Sequence, residues 1–181
     1  MFSGCESLTS IEFLHNKITQ IGSGAFSGCL GLTELTIPNK IHAIDLNAFA
    51  GCINLETVII TKNVSYIGFD AFAKNGKLKD VYCAATEVPT ASKDTFSDSY
   101  IENAILHVPA SSISEYKKVK PWSDFGLIVS LSQPGTGILD ATINLEESCI
   151  YTTYGVRVNT LQKGVNIIRT TDGQTKKVYV K

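Results

Sequence analysis

No stretch of the chain reaches the roughly 20 consecutive apolar residues of a membrane-spanning helix, so no segment reads as a bilayer span. Charge of one sign is not in excess either. Sixteen Lys and Arg stand against seventeen Asp and Glu, a formal net charge of −1, whereas a nucleic-acid binder carries a basic excess or stripe. The small imbalance runs along the chain: residues 1–130 hold ten basic and thirteen acidic residues, net −3, and residues 131–181 hold six and four, net +2. Histidine is scarce. None of His15, His42 and His107 has a Ser, Cys or carboxylate at a spacing that suggests a dyad or triad. The five cysteines include no pair two to four residues apart, which removes the usual zinc pattern. The first residues, Met1-Phe2-Ser3-Gly4-Cys5, lack the charged and apolar regions of a secretory leader.

What the chain does have is self-similarity. Its 181 residues, 44% of them hydrophobic, suffice for one folded domain with a small appendage. Ile21, Ile44 and Ile67 recur at steps of 23, as do Phe26, Phe49 and Phe72, and Leu32, Leu55 and Leu78. Leu35, Val58 and Val81 keep the step, then Ile37, Ile60 and Cys83. An earlier copy shows in Phe2, Cys5, Leu8, Ile11 and Phe13, and a degenerate later one in Phe96, Leu106 and Val108. Between these last copies Ala84 to Ser92 reads as a longer loop.

A repeat of this length cannot bury its apolar face alone, so the pattern predicts a solenoid whose coils stack on one another. Within each repeat the alternation Leu32-x-x-Leu35-x-Ile37 predicts a short strand, and Ile41-x-x-Ile44 a second extended piece. Ala25-Phe26-Ser27-Gly28-Cys29 closes the turn, its Phe filling the core corner and its Gly permitting a left-handed backbone. In the third full repeat Lys74 and Asn75 stand where Gly and Cys are expected, which predicts an altered turn.

Ala25-Phe26-Ser27-Gly28-Cys29-x-x-Leu32-x-x-Leu35-x-Ile37-Pro38 resembles the leucine-rich repeat of BspA-type surface proteins, and is similar to the related repeat of Treponema surface proteins. The resemblance covers residues 2–130. It extends to a C-terminal cap at 106–130: Leu106-His107-Val108-Pro109, a short polar helix at Ser112–Lys118, then Trp122-x-x-Phe125. It implies a leucine-rich-repeat solenoid of short parallel strands and turns that binds protein at a bacterial cell surface, in adhesion or host-protein contact. The chain opens inside a repeat, which reads as a piece of a longer protein. A linker follows at 131–138 and a small β module at 139–181. There Tyr154-Gly155-Val156-Arg157, Gly164 to Arg169 and Lys176 to Lys181 resemble the C-terminal sorting-type domain of Bacteroidetes secreted proteins, with Asp172-Gly173 as a hairpin signal. That resemblance implies export from the cell.

Cys5, Cys29 and Cys52 share one repeat position, so they read as small buried thiols; a disulfide framework in an oxidising compartment is the alternative. No cofactor is implied. The strand ladder holds the candidate site. With Leu35 and Ile37 and their equivalents pointing inward, one outward row reads Ser10, Glu34, Thr57, Asp80 and the next Glu12, Thr36, Ile59, Tyr82, His107. Glu34, Thr36, Ile59, Asp80 and Tyr82 are the residues expected to meet a protein partner, because exposed aromatics on a rigid platform favour interfaces. The plain alternative is a solvated sheet face. A glycan-binding accessory module is the rival function, with Tyr82 as its platform. The chain is expected to act as a monomer and to catalyse no reaction.

Overall fold

The computed structural model describes residues 2–13 and 17–131 and, beyond them, the backbone of four strands. The chain forms two compact units, Met1–Leu131 and Ser132–Lys181.

In the first unit two-residue and four-residue strands alternate along the chain until a final four-residue strand follows another. They are β1 (Gln20–Ile21), β2 (Glu34–Ile37), β3 (Ala43–Ile44), β4 (Thr57–Ile60), β5 (Tyr66–Ile67), β6 (Asp80–Cys83), β7 (Thr90–Ala91), β8 (Ile105–Val108) and β9 (Leu127–Ser130). The short ones form a sheet in the order β1-β3-β5-β7, and the long ones a sheet in the order β2-β4-β6-β8-β9. Every adjacent pair is parallel. The register repeats the sequence period: Leu35 pairs with Val58, Val58 with Val81, and Val81 with Leu106. Alternation explains why these segments are strands. In β4, β6 and β8 the second and fourth residues are buried, while the first and third are partly open to solvent. The first unit is therefore a leucine-rich-repeat solenoid.

Its core includes a column of phenylalanines. Phe2, Phe26, Phe49, Phe72 and Phe96 stack ring on ring, with centroids 5.5, 5.4, 5.5 and 5.6 Å apart and planes within 13° of parallel. Each such contact adds about 0.5–1.5 kcal/mol beyond the area it buries. Beside the column, a ladder of side chains satisfies the phenylalanine carbonyls. Cys29 Sγ donates to Phe2 O at 3.2 Å, Cys52 Sγ to Phe26 O at 3.3 Å, and Ser99 Oγ to Phe72 O at 2.7 Å. Asn75 fills the same place with its Nδ2.

This corrects the expectation that Lys74 and Asn75 alter the turn. Gly28 and Gly51 take φ of 71° and 73°, and Lys74 takes 60° at the equivalent position. The stacking bond also persists, Gly51 N donating to Ala73 O at 2.8 Å and Lys74 N to Ser97 O at 2.7 Å. The coil geometry is strong enough to hold a lysine where glycine costs least.

Three further readings are corrected. Ser10 to Phe13 form no strand, so the outward rows begin at β2. The Ala84–Ser92 stretch is not wholly a loop, since Thr90–Ala91 is β7 and pairs with β5. The helix read at Ser112–Lys118 in the segment after β8 is shorter than expected. The segment makes a 3-10 turn at Ala110–Ser112, the single-turn helix α1 (Ile113–Tyr116), a second 3-10 turn at Trp122–Asp124, and then β9, which extends the sheet.

That segment packs against the bulge at Ala84–Pro89. Tyr116 Oη donates to Ala85 O at 2.8 Å, Ser112 Oγ to Thr86 O at 2.7 Å, and Trp122 Nε1 to Pro89 O at 3.0 Å. A bulge leaves carbonyls that no strand can pair, and buried carbonyls need donors. Tyr116 and Trp122, both fully buried, supply them. Trp122 and Phe125 also meet the last ring of the column edge-on, at 5.9 and 5.3 Å from Phe96.

The second unit is an antiparallel sheet of β10 (Cys149–Thr152), β11 (Arg157–Val158), β12 (Gly164–Arg169) and β13 (Thr175–Val180), in the order β11-β10-β12-β13. Arg169 pairs with Thr175 at the end of β12 and β13. The Asp172-Gly173 hairpin signal between them, the 132–138 part of the linker and His15 lie outside the described residues.

Candidate functional site

The register of β2-β4-β6-β8-β9 decides which side chains share the outward face. One row is Glu34, Thr57, Asp80, Ile105 and Leu127, and the other Thr36, Ile59, Tyr82, His107 and Val129. All five residues read from the sequence as a site, Glu34, Thr36, Ile59, Asp80 and Tyr82, stand on this face. Neighbouring strands are about 4.8 Å apart, so the face spans about 19 Å from β2 to β9.

At its centre Asp80, Tyr82 and His107 form one cluster. His107 Nε2 lies 2.8 Å from Asp80 Oδ1. An ionised carboxylate only accepts, so Nε2 carries the hydrogen. The Tyr82 and His107 rings stack with centroids 4.1 Å apart and planes 10° from parallel. Partial burial, with the Asp80 charge as a second cause, raises the Tyr82 phenol above its ordinary value. Strand pairing produces all of this, because Asp80 and Tyr82 belong to β6 and His107 stands opposite Tyr82 on β8.

Polarity changes across the face. The β2 end is exposed and polar, with Glu34 and Thr36. The β8–β9 end is mainly aliphatic, with Ile105, Val129 and Leu127, the last 53% exposed, and its one polar outward side chain, His107, is bonded to Asp80. None of the ten outward positions is Lys or Arg. At the entrance to β6, Lys79 is tied to Glu56 at 2.8 Å and holds that carboxyl below its ordinary value.

Sequence reasoning missed Ile105, Leu127 and Val129. The string Leu127-Ile128-Val129 has no alternation to mark it as a strand or assign its faces; only its place beside β8 does so. His107 was in the row, but its bond to Asp80, 27 residues away, had no local signal.

The remaining candidates separate. His42 is exposed, with Nδ1 3.1 Å from Asn63 O, on the other side of the coil from β4. Cys29, Cys52 and Cys83 are buried and free, and Cys5 is half-buried and free. Burial pushes Cys52 and Cys83 each up to about 11, so these thiols are poor nucleophiles. Among the described residues no group of three or more His, Cys, Asp or Glu is placed to hold a metal ion, and no helix is long and apolar enough to cross a membrane. An apolar recess of about 430 Å³ lies beside the first coil, lined by Phe2, Leu8, Ile11, Phe13 and Phe26 among others.

A parallel-stranded, 23-residue coil with this turn defines a leucine-rich-repeat protein. The chain belongs to the BspA type leucine rich repeat family, whose profile matches residues 1–117 in six copies. Repeats of this class are generally non-catalytic scaffolds. Among solved structures the chain is similar to a leucine-rich repeat protein from Bacteroides ovatus ATCC 8483, with 20% identity and a TM-score of 0.45 over 72% of this chain and 39% of that one. It is also similar to a leucine rich cell surface protein from Faecalibacterium prausnitzii A2-165, with 18% identity and a TM-score of 0.33 over 70% and 49% of the two chains. The chain thus spans less than half the length of either. No curated protein matches it.

Proposed function

We propose that this chain is a non-catalytic protein-binding module of a bacterial cell-surface or secreted protein, used in adhesion or contact with host proteins, and that its partner docks on the outward face of β2-β4-β6-β8-β9. The observation that carries the reading is the set of apolar side chains on the two outward rows of a rigid sheet, Ile105 and Leu127 in one and Ile59, Tyr82 and Val129 in the other. Open apolar area of this kind, rimmed by polar groups, is how docking surfaces are built. Membership of the BspA-type family supports the surface or secreted location, and the resemblance of the tail to a sorting domain supports export. The module works as a monomer, without cofactor or nucleic acid.

The glycan-binding alternative is weakened by one feature. A sugar stacks on the open face of an aromatic ring. Tyr82 has one ring face on His107 and Ile59 as its in-register neighbour on the other side, so the ring stands edge-on to solvent.

The test is a capture experiment against host extracellular-matrix proteins, run beside a glycan array, with the wild-type chain and a Glu34→Ala, Ile59→Ala, Tyr82→Ala variant. Protein capture that the variant loses supports the reading. Glycan binding by the wild type, or capture undiminished in a folded variant, contradicts it.

A further inference from the structure

The chemistry of the face specifies its partner. Resting on the docking face proposed above, we infer that the occupant is a protein segment with a basic part and an aliphatic part, laid across the strands with its basic part over β2–β6 and its aliphatic part over β8–β9.

Two observations combine. The first is charge. The outward rows hold two carboxylates, Glu34 and Asp80, and no Lys or Arg. Asp80 keeps one oxygen on His107 Nε2; its side chain is 33% exposed, leaving the second oxygen for a partner's donor. Glu34 is exposed. The two stand two strand spacings apart, about 10 Å, close enough for a pair of cationic side chains to serve both. An acidic partner would bring like charges together on this face and be disfavoured.

The second observation is the polarity gradient, which gives the partner a direction. Beyond Asp80 the row continues as Ile105 and Leu127, and beyond His107 as Val129. On that end the one polar outward side chain, His107, is 13% exposed and already bonded to Asp80, so what remains open pairs with aliphatic groups. Side chains on one face of an extended segment recur about every 6.8 Å. Seven residues therefore reach about 20 Å from the first to the fourth same-side residue, matching the span from Glu34 to Leu127.

The probe is the extended peptide Lys-Thr-Lys-Thr-Val-Thr-Val, displayed on a biosensor surface. Its comparison is Glu-Thr-Glu-Thr-Val-Thr-Val, and the purified full chain is the analyte. The lysine peptide should retain the chain and the glutamate peptide should not. Retention should fall about ten-fold on raising salt from about 0.05 to about 0.5 M. Asp80→Asn with Glu34→Gln should reduce retention about ten-fold and flatten the salt dependence; the Asn still accepts the His107 hydrogen, so the cluster persists. Leu127→Ser with Val129→Ser should also reduce retention but leave the salt slope unchanged. Equal retention on both peptides, retention on neither, or full retention of the carboxylate variant would overturn the inference.

A second arm separates this outcome from failure of the docking face itself. If a captured matrix protein is lost by Ile59→Ala, Tyr82→Ala but kept by Asp80→Asn, Glu34→Gln, the face stands and the basic partner falls. If neither pair of substitutions changes capture, both fall.

Discussion

Asn75 donates from Nδ2 to the main-chain oxygen of Phe49, 3.1 Å away and one coil earlier in the stack. Cys52 makes the same bond to Phe26, and Ser99 to Phe72. The shared requirement is a small side chain with a hydrogen to give to the phenylalanine main-chain oxygen of the preceding coil. Cysteine recurs here as a compact donor, and its redox or metal chemistry is not needed to explain it.

Interchange along this ladder is therefore expected to be mild, and removal of the donor costly. Asn75→Cys should leave stability unchanged or higher, because it keeps a donor and removes Asn75 Oδ1, which is buried without a partner. Asn75→Leu should cost about 1–3 kcal/mol, the penalty for an unsatisfied buried carbonyl. Urea midpoints of the two variants check both signs.

The buried thiols set an alkaline limit. Burial raises Cys52 and Cys83 from 9.0 to about 11 in the folded chain. A folded-state value above the unfolded one means that the native state holds the proton more tightly. This part of the stability is complete below about pH 9 and is lost as pH rises through about 11. Thermal midpoints should decline across that window, less steeply in Cys52→Ser. At neutral pH both thiols should alkylate slowly until the chain is denatured, as mass spectrometry would record.

Tyr116→Phe should loosen the bulge before it loosens the coils. The hydroxyl donates to Ala85 O at 2.8 Å and lies 3.2 Å from Cys83 Sγ. Its loss leaves a buried carbonyl unpaired, at about 1–3 kcal/mol. Hydrogen exchange should quicken at Ala84–Ser92 while β2 and β4 keep their protection.

Phe49→Ala should act over several coils. The ring is fully buried and stacks on Phe26 and Phe72 at 5.4 and 5.5 Å. Truncation should cost about 3–5 kcal/mol, and coupling between coils should spread the loss. An unchanged urea midpoint would show that the column does not stabilise the solenoid.

The sequence period contained most of this fold. One residue triplet, Leu35, Val58 and Val81, already states the register of three strands, because in a solenoid the sequence step is the stacking step. What it did not contain is non-periodic. Leu127 to Ser130 has no matching copy upstream, so only docking on β8 reveals it as a strand. The bulge at Ala84–Pro89 reads as free loop until Ser112, Tyr116 and Trp122 are seen to fill its carbonyls. For the site, alternation sufficed to place Glu34, Thr36, Ile59, Asp80 and Tyr82 outward. It was silent about the Asp80–His107 bond and the aliphatic end, which arise from neighbours in space.

The most direct test of the docking face is to block it. In a Cys5→Ser, Cys149→Ser background the three remaining cysteines are buried, so single thiols placed at Thr36 or Thr57 on the face, or at Asp98 on the turn side, can be coupled to a bulky polyethylene glycol maleimide. Adhesion to the captured matrix protein should be lost with the polymer at Thr36 or Thr57 and kept with it at Asp98. Adhesion that survives the polymer on the face, or that is lost only at Asp98, would contradict the account.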